Sequence, residues 1–68
     1  MIKYGVEHIT KDKDSIVVYN SKDVAMEKAE ELARGLSSGE SVMLFYADCD
    51  ADGKLVSTEY NVLKVWSK

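Results

Sequence analysis

The chain opens on two segments whose apolar and polar residues follow the pattern of β-strands. From Ile2 to Ile9, apolar and polar positions alternate with a period of two as far as Val6. Residues 15–19 contain three consecutive β-branched residues, which are typical of strands. The polar stretch over residues 11–14 separates the two segments. The pattern therefore predicts a β-hairpin at the start of the chain.

The next segment changes to the spacing of an amphipathic helix. Its apolar residues are Val24, Ala25, Ala29, Leu32, Ala33 and Leu36. Ser21 is a suitable N-cap, and Asp23 places negative charge in the first turn, where the helix dipole favours it. Gly35 and the Ser-Ser-Gly run over residues 37–39 supply a stop signal. These signals predict a helix over about residues 22–36, with a ridge of small alanine side chains against which another layer can pack closely.

Two further strands are predicted after the helix. Residues 42–47 are apolar on both faces, which suits an inner strand of a sheet, whereas residues 55–65 return to alternation. Residues 50–53 lie between them and form the predicted turn of a second hairpin. The expected fold is α+β, in the order β-β-α-β-β, as one domain over residues 1–68. Its four-stranded, mainly antiparallel sheet carries the helix on one face.

The second face of such a sheet is a candidate binding surface for a protein partner. One helix covers one face, so the other face is polar, covered by a partner, or partly apolar and exposed. The apolar character of residues 42–47 on both sides favours exposure of apolar surface. The acidic helix positions Glu27, Glu30 and Glu31 are a wet helix face or a docking surface for a basic partner.

Composition narrows the classes of partner. A chain of 68 residues buries only about 60% of its unfolded surface, so a second copy or another protein would add stability. The net charge is −3 and the basic residues are scattered, so binding of nucleic acid is not expected. Neither a membrane-spanning apolar run nor a signal-peptide pattern over residues 1–10 is recognisable. With Cys49 as its one cysteine, the chain is expected in the cytoplasm.

One stretch has the spacing of a calcium ligand set. The positions that correspond to ligands 1, 3, 5, 7 and 12 and to the turn glycine of an EF-hand loop are Asp48, Asp50, Asp52, Lys54, Glu59 and Gly53. This segment resembles the EF-hand family over residues 48–60, and the resemblance implies calcium bound by Asp48, Asp50, Asp52 and Glu59. A helix should lead into such a loop, yet residues 41–47 are strand-formers. The alternative is an acidic hairpin turn with Glu59 pointing outward from its strand.

Other residues with reactive side chains do not form a catalytic motif. His8 is the single histidine, and a nucleophile, base and acid would have to converge on it without any motif around them. Cys49 lies between Asp48 and Asp50, whose charge disfavours a thiolate. We therefore expect no catalytic residues and no bound cofactor, with calcium as the alternative.

The run from Tyr19 to Ala33, YNSKDVAMEKAEELA, between two hairpins resembles the helix signature of small uncharacterised proteins of phages, prophages and bacterial genomes. That resemblance implies the hairpin-helix-hairpin layout and an origin in a mobile element. The leading functional expectation is a non-enzymatic interaction module that binds itself, as a homodimer, or another protein. Calcium binding through the acidic loop is the alternative function.

Overall fold

The fold is one antiparallel sheet with one helix packed against it, in a computed structural model that describes residues 1–52, 54 and 60–68. The elements are β1 (Ile2–Ile9), β2 (Asp14–Tyr19), α1 (Lys22–Arg34), β3 (Ser41–Asp48) and β4 (Asn61–Ser67). The sheet order is β2-β1-β3-β4, and each neighbouring pair of strands is antiparallel. The predicted α+β class and the β-β-α-β-β order are confirmed.

The helix connects two strands that are not neighbours. Because β2 and β3 each pair antiparallel with β1, they run parallel to one another on either side of it. α1 crosses over β1 to join them, as a βαβ crossover with one strand inserted. This topology makes β1 and β3 inner strands and leaves β2 and β4 at the edges.

The helix begins where the sequence predicts and ends earlier. Ser21 has an extended backbone (φ −110°, ψ 131°), and its Oγ accepts a hydrogen bond from the Val24 N–H at 3.4 Å. The helix ends at Arg34, and Gly35 (φ −102°, ψ 11°) forms the C-cap, so the predicted end at residue 36 was two residues too late. Leu36 is nevertheless buried, because it packs into the core from the connection that follows α1.

The core lies between α1 and one face of the sheet. Its buried members are Val6, Ala25, Ala29, Leu36, Val42 and Leu44. Ala25 and Ala29 are fully buried, so the predicted alanine ridge lies against the sheet, and its small side chains allow the close approach. Val24 and Leu32, which share the helical pattern, are exposed at the sides of this contact.

The last strand differs most from its prediction. The structure has β4 over Asn61–Ser67, whereas the pattern predicted residues 55–65, of which 55–59 lie outside the described residues. Phe45 pairs with Val62 and Leu44 with Lys64, so Leu63 is an extra residue that forms a bulge in β4. Alternation alone cannot locate such a bulge, because the extra residue shifts the period by one residue.

No helix in the described part of the chain has the length and apolar character needed to cross a membrane.

Candidate interaction surface

The sheet has a second face, opposite α1, which we call the open sheet face. Residues that are directly paired across antiparallel strands point to the same face, so the register assigns its members. Read from β2 to β4, one row is Val18, Gly5, Phe45 and Val62, and the next is Ile16, Glu7, Met43 and Val65. Seven of these eight positions carry apolar side chains or glycine. The exception is Glu7.

Both edges of the open sheet face expose large apolar side chains. On β4, Val62 and Val65 are 52% and 55% exposed, and on β2, Ile16 is 42% exposed. Val18 and Ile9 extend the exposed apolar surface beside Ile16. In an antiparallel sheet with one solvated face, the residues that point to that face are usually polar. In these edge strands most of them are apolar. The open sheet face therefore has the character of a surface to be covered.

The middle of the open sheet face is closely packed. The ring of Phe45 lies over Gly5, so that a Cβ added at Gly5 would be only 2.7 Å from Cε1 of the ring. The ring of Tyr60 packs against the Phe45 ring, with 4.5 Å between the ring centroids and an angle of 32° between the ring planes, and Phe45 is 1% exposed. Residues 42–47 were expected to expose apolar surface, but Phe45 and Ala47 are buried. The exposed apolar area comes from the edge strands instead.

Charged groups lie at the two ends of β1 on this face. At one end, Glu7 shares a hydrogen bond with Asp14 across β1 and β2. This bond, the burial of Glu7 and the charge of Asp14 raise the pKa of Glu7 above its ordinary value. At the other end, the Nζ of Lys3 donates a hydrogen bond to the Oδ1 of Asn20. The open sheet face is thus apolar across its width, with the Glu7 and Asp14 carboxyl groups toward one end and Lys3 toward the other.

The acidic loop is engaged in contacts within the chain. Asp48 ends β3, and its Oδ1 lies 2.6 Å from the amino group of Met1. The Oδ1 of Asp50 accepts hydrogen bonds from the N–H groups of Asp52 (2.9 Å) and Lys54 (3.0 Å). Asp50 also donates its own N–H to the carbonyl of Lys54 at 2.8 Å. These bonds bring Asp50, Asp52 and Lys54 together in the segment of the predicted turn, of which Gly53 lies outside the described residues.

The calcium hypothesis stays a prediction. The segment that enters the loop is β3, as the strand-forming residues 41–47 predicted, whereas an EF-hand loop is entered by a helix. Among the described residues, no three His, Cys, Asp or Glu side chains are grouped so that they could hold a metal ion. Gly53 and Glu59, the predicted turn glycine and last ligand, lie outside the described residues.

The remaining candidate residues are dispersed over the fold. His8 points to the α1 side, where it lines an open groove of about 300 Å³ together with Ser15, Lys28 and Glu31. Cys49 is buried, with its Sγ 3.9 Å from the carbonyl oxygen of Ala47. The structure does not bring His8 and Cys49 into one site.

The acidic helix surface is less distinctive than its glutamates suggest. Lys22, Lys28 and Arg34 lie among the acidic residues of α1, and the Nζ of Lys28 is 3.5 Å from the Oε2 of Glu31. The interleaved charges make this a mixed, solvated surface.

The sequence predicted a candidate surface on the sheet without locating it, since only the strand order assigns its residues. Comparisons of the chain with protein-family models, curated proteins and solved structures gave no match.

Proposed function

We propose that this protein is a non-enzymatic protein-interaction module and that its binding surface is the open sheet face. The observation that carries the proposal is the exposure of Ile16, Val62 and Val65 on a face whose middle is closely packed. An exposed apolar surface on a packed sheet is suited to another protein surface, because contact between two such surfaces removes apolar side chains from water.

The energetics favour burial of this surface. Burial of apolar surface stabilises a contact by about 25 cal/mol for each Å² of apolar area removed from water. A small domain needs such contributions because its own core is limited. The helix-side core has six buried members, of which two are alanines, so an apolar contact on the second face adds substantially to the stability of the folded chain.

The open sheet face is better suited to bind a partner than the surface of α1. Opposite charges alternate along α1, whereas the open sheet face is continuous and apolar across all four strands. The net charge of −3 opposes attraction to nucleic acid, which agrees with a protein as the partner. We place this module in the cytoplasm, where a protein with its single cysteine buried needs no disulfide.

The test is site-specific photocrosslinking in an extract of the native host. Val65 on the open sheet face is replaced by p-benzoylphenylalanine, and Glu30 on the exposed surface of α1 is replaced in a matched control. The expected result is a defined protein adduct from position 65, with a second copy or with another protein, and none from position 30.

Two outcomes would overturn the proposed function. Absence of any adduct at position 65 would show that the open sheet face meets no protein. Equal adducts at positions 65 and 30 would show non-specific capture.

A further inference from the structure

We infer that the occupant of the open sheet face is a second copy of this chain, packed face to face with its strands running in the opposite direction. This inference rests on the proposed function and names the partner for the same surface. It follows from the distribution of charge and of apolar rows on the open sheet face.

The charges on the open sheet face are complementary to those of a reversed copy. Lys3 lies near one end of β1 on this face, and the Glu7 and Asp14 carboxyl groups lie toward the other. A two-fold axis in the interface and perpendicular to the strands reverses the strand direction while it keeps β1 over β1. Lys3 of one copy then faces Ile9 of the second copy, and Asp14 is the cross-strand partner of that Ile9. Both copies make this contact, so opposite charges are neighbours at both ends of the interface.

The apolar rows are complementary in the same arrangement. The axis passes between the row of Gly5 and the row of Glu7, so it exchanges these two rows. Val62 of one copy faces Val65 of the other, and Ile16 faces Val18. Glu7 faces Gly5, which the Phe45 ring of its own chain covers. Apolar groups thus meet apolar groups across the interface, while Glu7 of each copy meets the Phe45 ring of the other.

The opposite choice of axis lacks these matches. An axis parallel to the strands would place Lys3 over Ala47 and Asp14 over Ser67 of the second copy. Neither contact joins opposite charges. Among aligned sheet packings, in which the strands of the two sheets lie within about 30° of each other, these are the two arrangements with a two-fold axis in the interface. Charge selects the arrangement with reversed strands.

The dimensions of the sheet set the size of this contact. Four strands spaced about 4.8 Å apart, with about seven residues each at about 3.3 Å per residue, give a face of roughly 19 by 23 Å. Side-chain relief makes the accessible area larger than this projection. Two such faces have a projected area of roughly 900 Å². Phe45 and Ala47 are already buried within one chain, so the edge strands supply most of the new contact, which is small beside the roughly 1,200 Å² of the smaller specific interfaces.

The test measures mass and dissociation constant by sedimentation equilibrium on the purified chain. The expected mass is twice the 7.6 kDa of one chain. Lys3→Glu and Asp14→Lys should each weaken the dimer by about tenfold or more, because each places like charges together across the interface. The combined variant should recover most of the lost affinity, because it restores opposite charges with the signs exchanged. Glu27→Lys, on the exposed surface of α1, is the matched control and should leave the dimer unchanged.

A further variant keeps the test independent of charge. Val65→Asp places a carboxylate within the apolar contact and should give a monomer, with far-UV circular dichroism confirming that each variant folds. A monomeric wild-type chain at high concentration would overturn the inference, and so would a double variant as weak as its parents. A monomer that still forms an adduct with another protein from position 65 would refute the second copy and leave the proposed function standing. Absence of every adduct would refute both.

Discussion

At the scale of single residues, Gly5 decides the shape of the open sheet face. Gly5 and Phe45 are direct partners across β1 and β3, and the ring occupies the space that any side chain at Gly5 would take. The glycine lets the Phe45 ring lie over β1, where Tyr60 packs against it. A glycine in the interior of an inner strand weakens that strand by itself, so the aromatic contact accounts for its presence here.

Gly5→Ala should therefore destabilise the fold. The added Cβ would meet Phe45 Cε2 at 2.8 Å, so the ring must leave its position. We expect a loss of about 1–3 kcal/mol in the free energy of unfolding, typical of an overpacked core, measured by urea denaturation.

Gly35→Ala is the control for this change. The nearest atom to a Cβ at Gly35 is the carbonyl oxygen of Leu32 at 3.8 Å, so the space is open. Its negative φ suits alanine, and the change should be neutral or stabilise by up to about 1 kcal/mol. Equal effects at the two glycines would contradict the role assigned to Phe45.

At the scale of elements, the β1–β2 hairpin places two carboxyl groups together. Glu7 lies opposite Ile16 and Asp14 opposite Ile9, so the two acids are diagonal neighbours on the open sheet face. Their shared hydrogen bond requires a proton on one of the two carboxyl groups. This bond is the main cause that raises the pKa of Glu7 from its ordinary 4.5. Alternation predicted the hairpin but not this pairing, since it depends on the register.

The stability of the hairpin should depend on this proton. The folded-state pKa of Glu7 is higher than its unfolded-state value, so its contribution is fully present below the unfolded pKa and is lost as pH rises through the folded pKa. Glu7→Gln removes the ionisation. The stability of this variant relative to wild type should therefore be greatest at pH 7 and should fall as the pH is lowered toward 4.

The measurement is urea unfolding at both pH values and one fixed protein concentration. Glu27→Gln on the exposed helix surface serves as the control and should show no comparable change between the two pH values. The free energy of unfolding of Glu7→Gln is compared with that of wild type at each pH. The carboxyl pairing would be contradicted by a difference that stays constant or grows as the pH falls.

At the scale of the whole molecule, the fold leaves much of its apolar surface on the outside. One helix of 13 residues covers one face of the four-stranded sheet, and the edge strands β2 and β4 expose apolar residues on the other. For such a chain, folding and association are linked, because association stabilises the native state by mass action.

The thermal midpoint should therefore depend on protein concentration. An about 100-fold dilution should lower the Tm of the wild-type chain by several degrees, because dilution favours dissociation before unfolding. Val65→Asp should show the same Tm at both concentrations. Differential scanning fluorimetry measures both midpoints, and a wild-type Tm independent of concentration would contradict the linkage.

The local elements could be predicted from the sequence because their causes are local. The Ser21 cap, the alanine spacing of α1 and the strand-forming residues of β1 and β3 each act within a few neighbours. The β-β-α-β-β order follows from them along the chain. The calcium ligand spacing was equally visible, but spacing alone does not place carboxylates around one point.

The sequence by itself determined which segments form strands and helix and that one helix would leave one sheet face uncovered. Tertiary structure decided the strand order, the bulge at Leu63, the position of Phe45 over Gly5 and the meeting of Glu7 with Asp14. These features depend on which strands pair and in what register. Such pairings join residues far apart in the chain, so the residues on either side of a given position do not specify them.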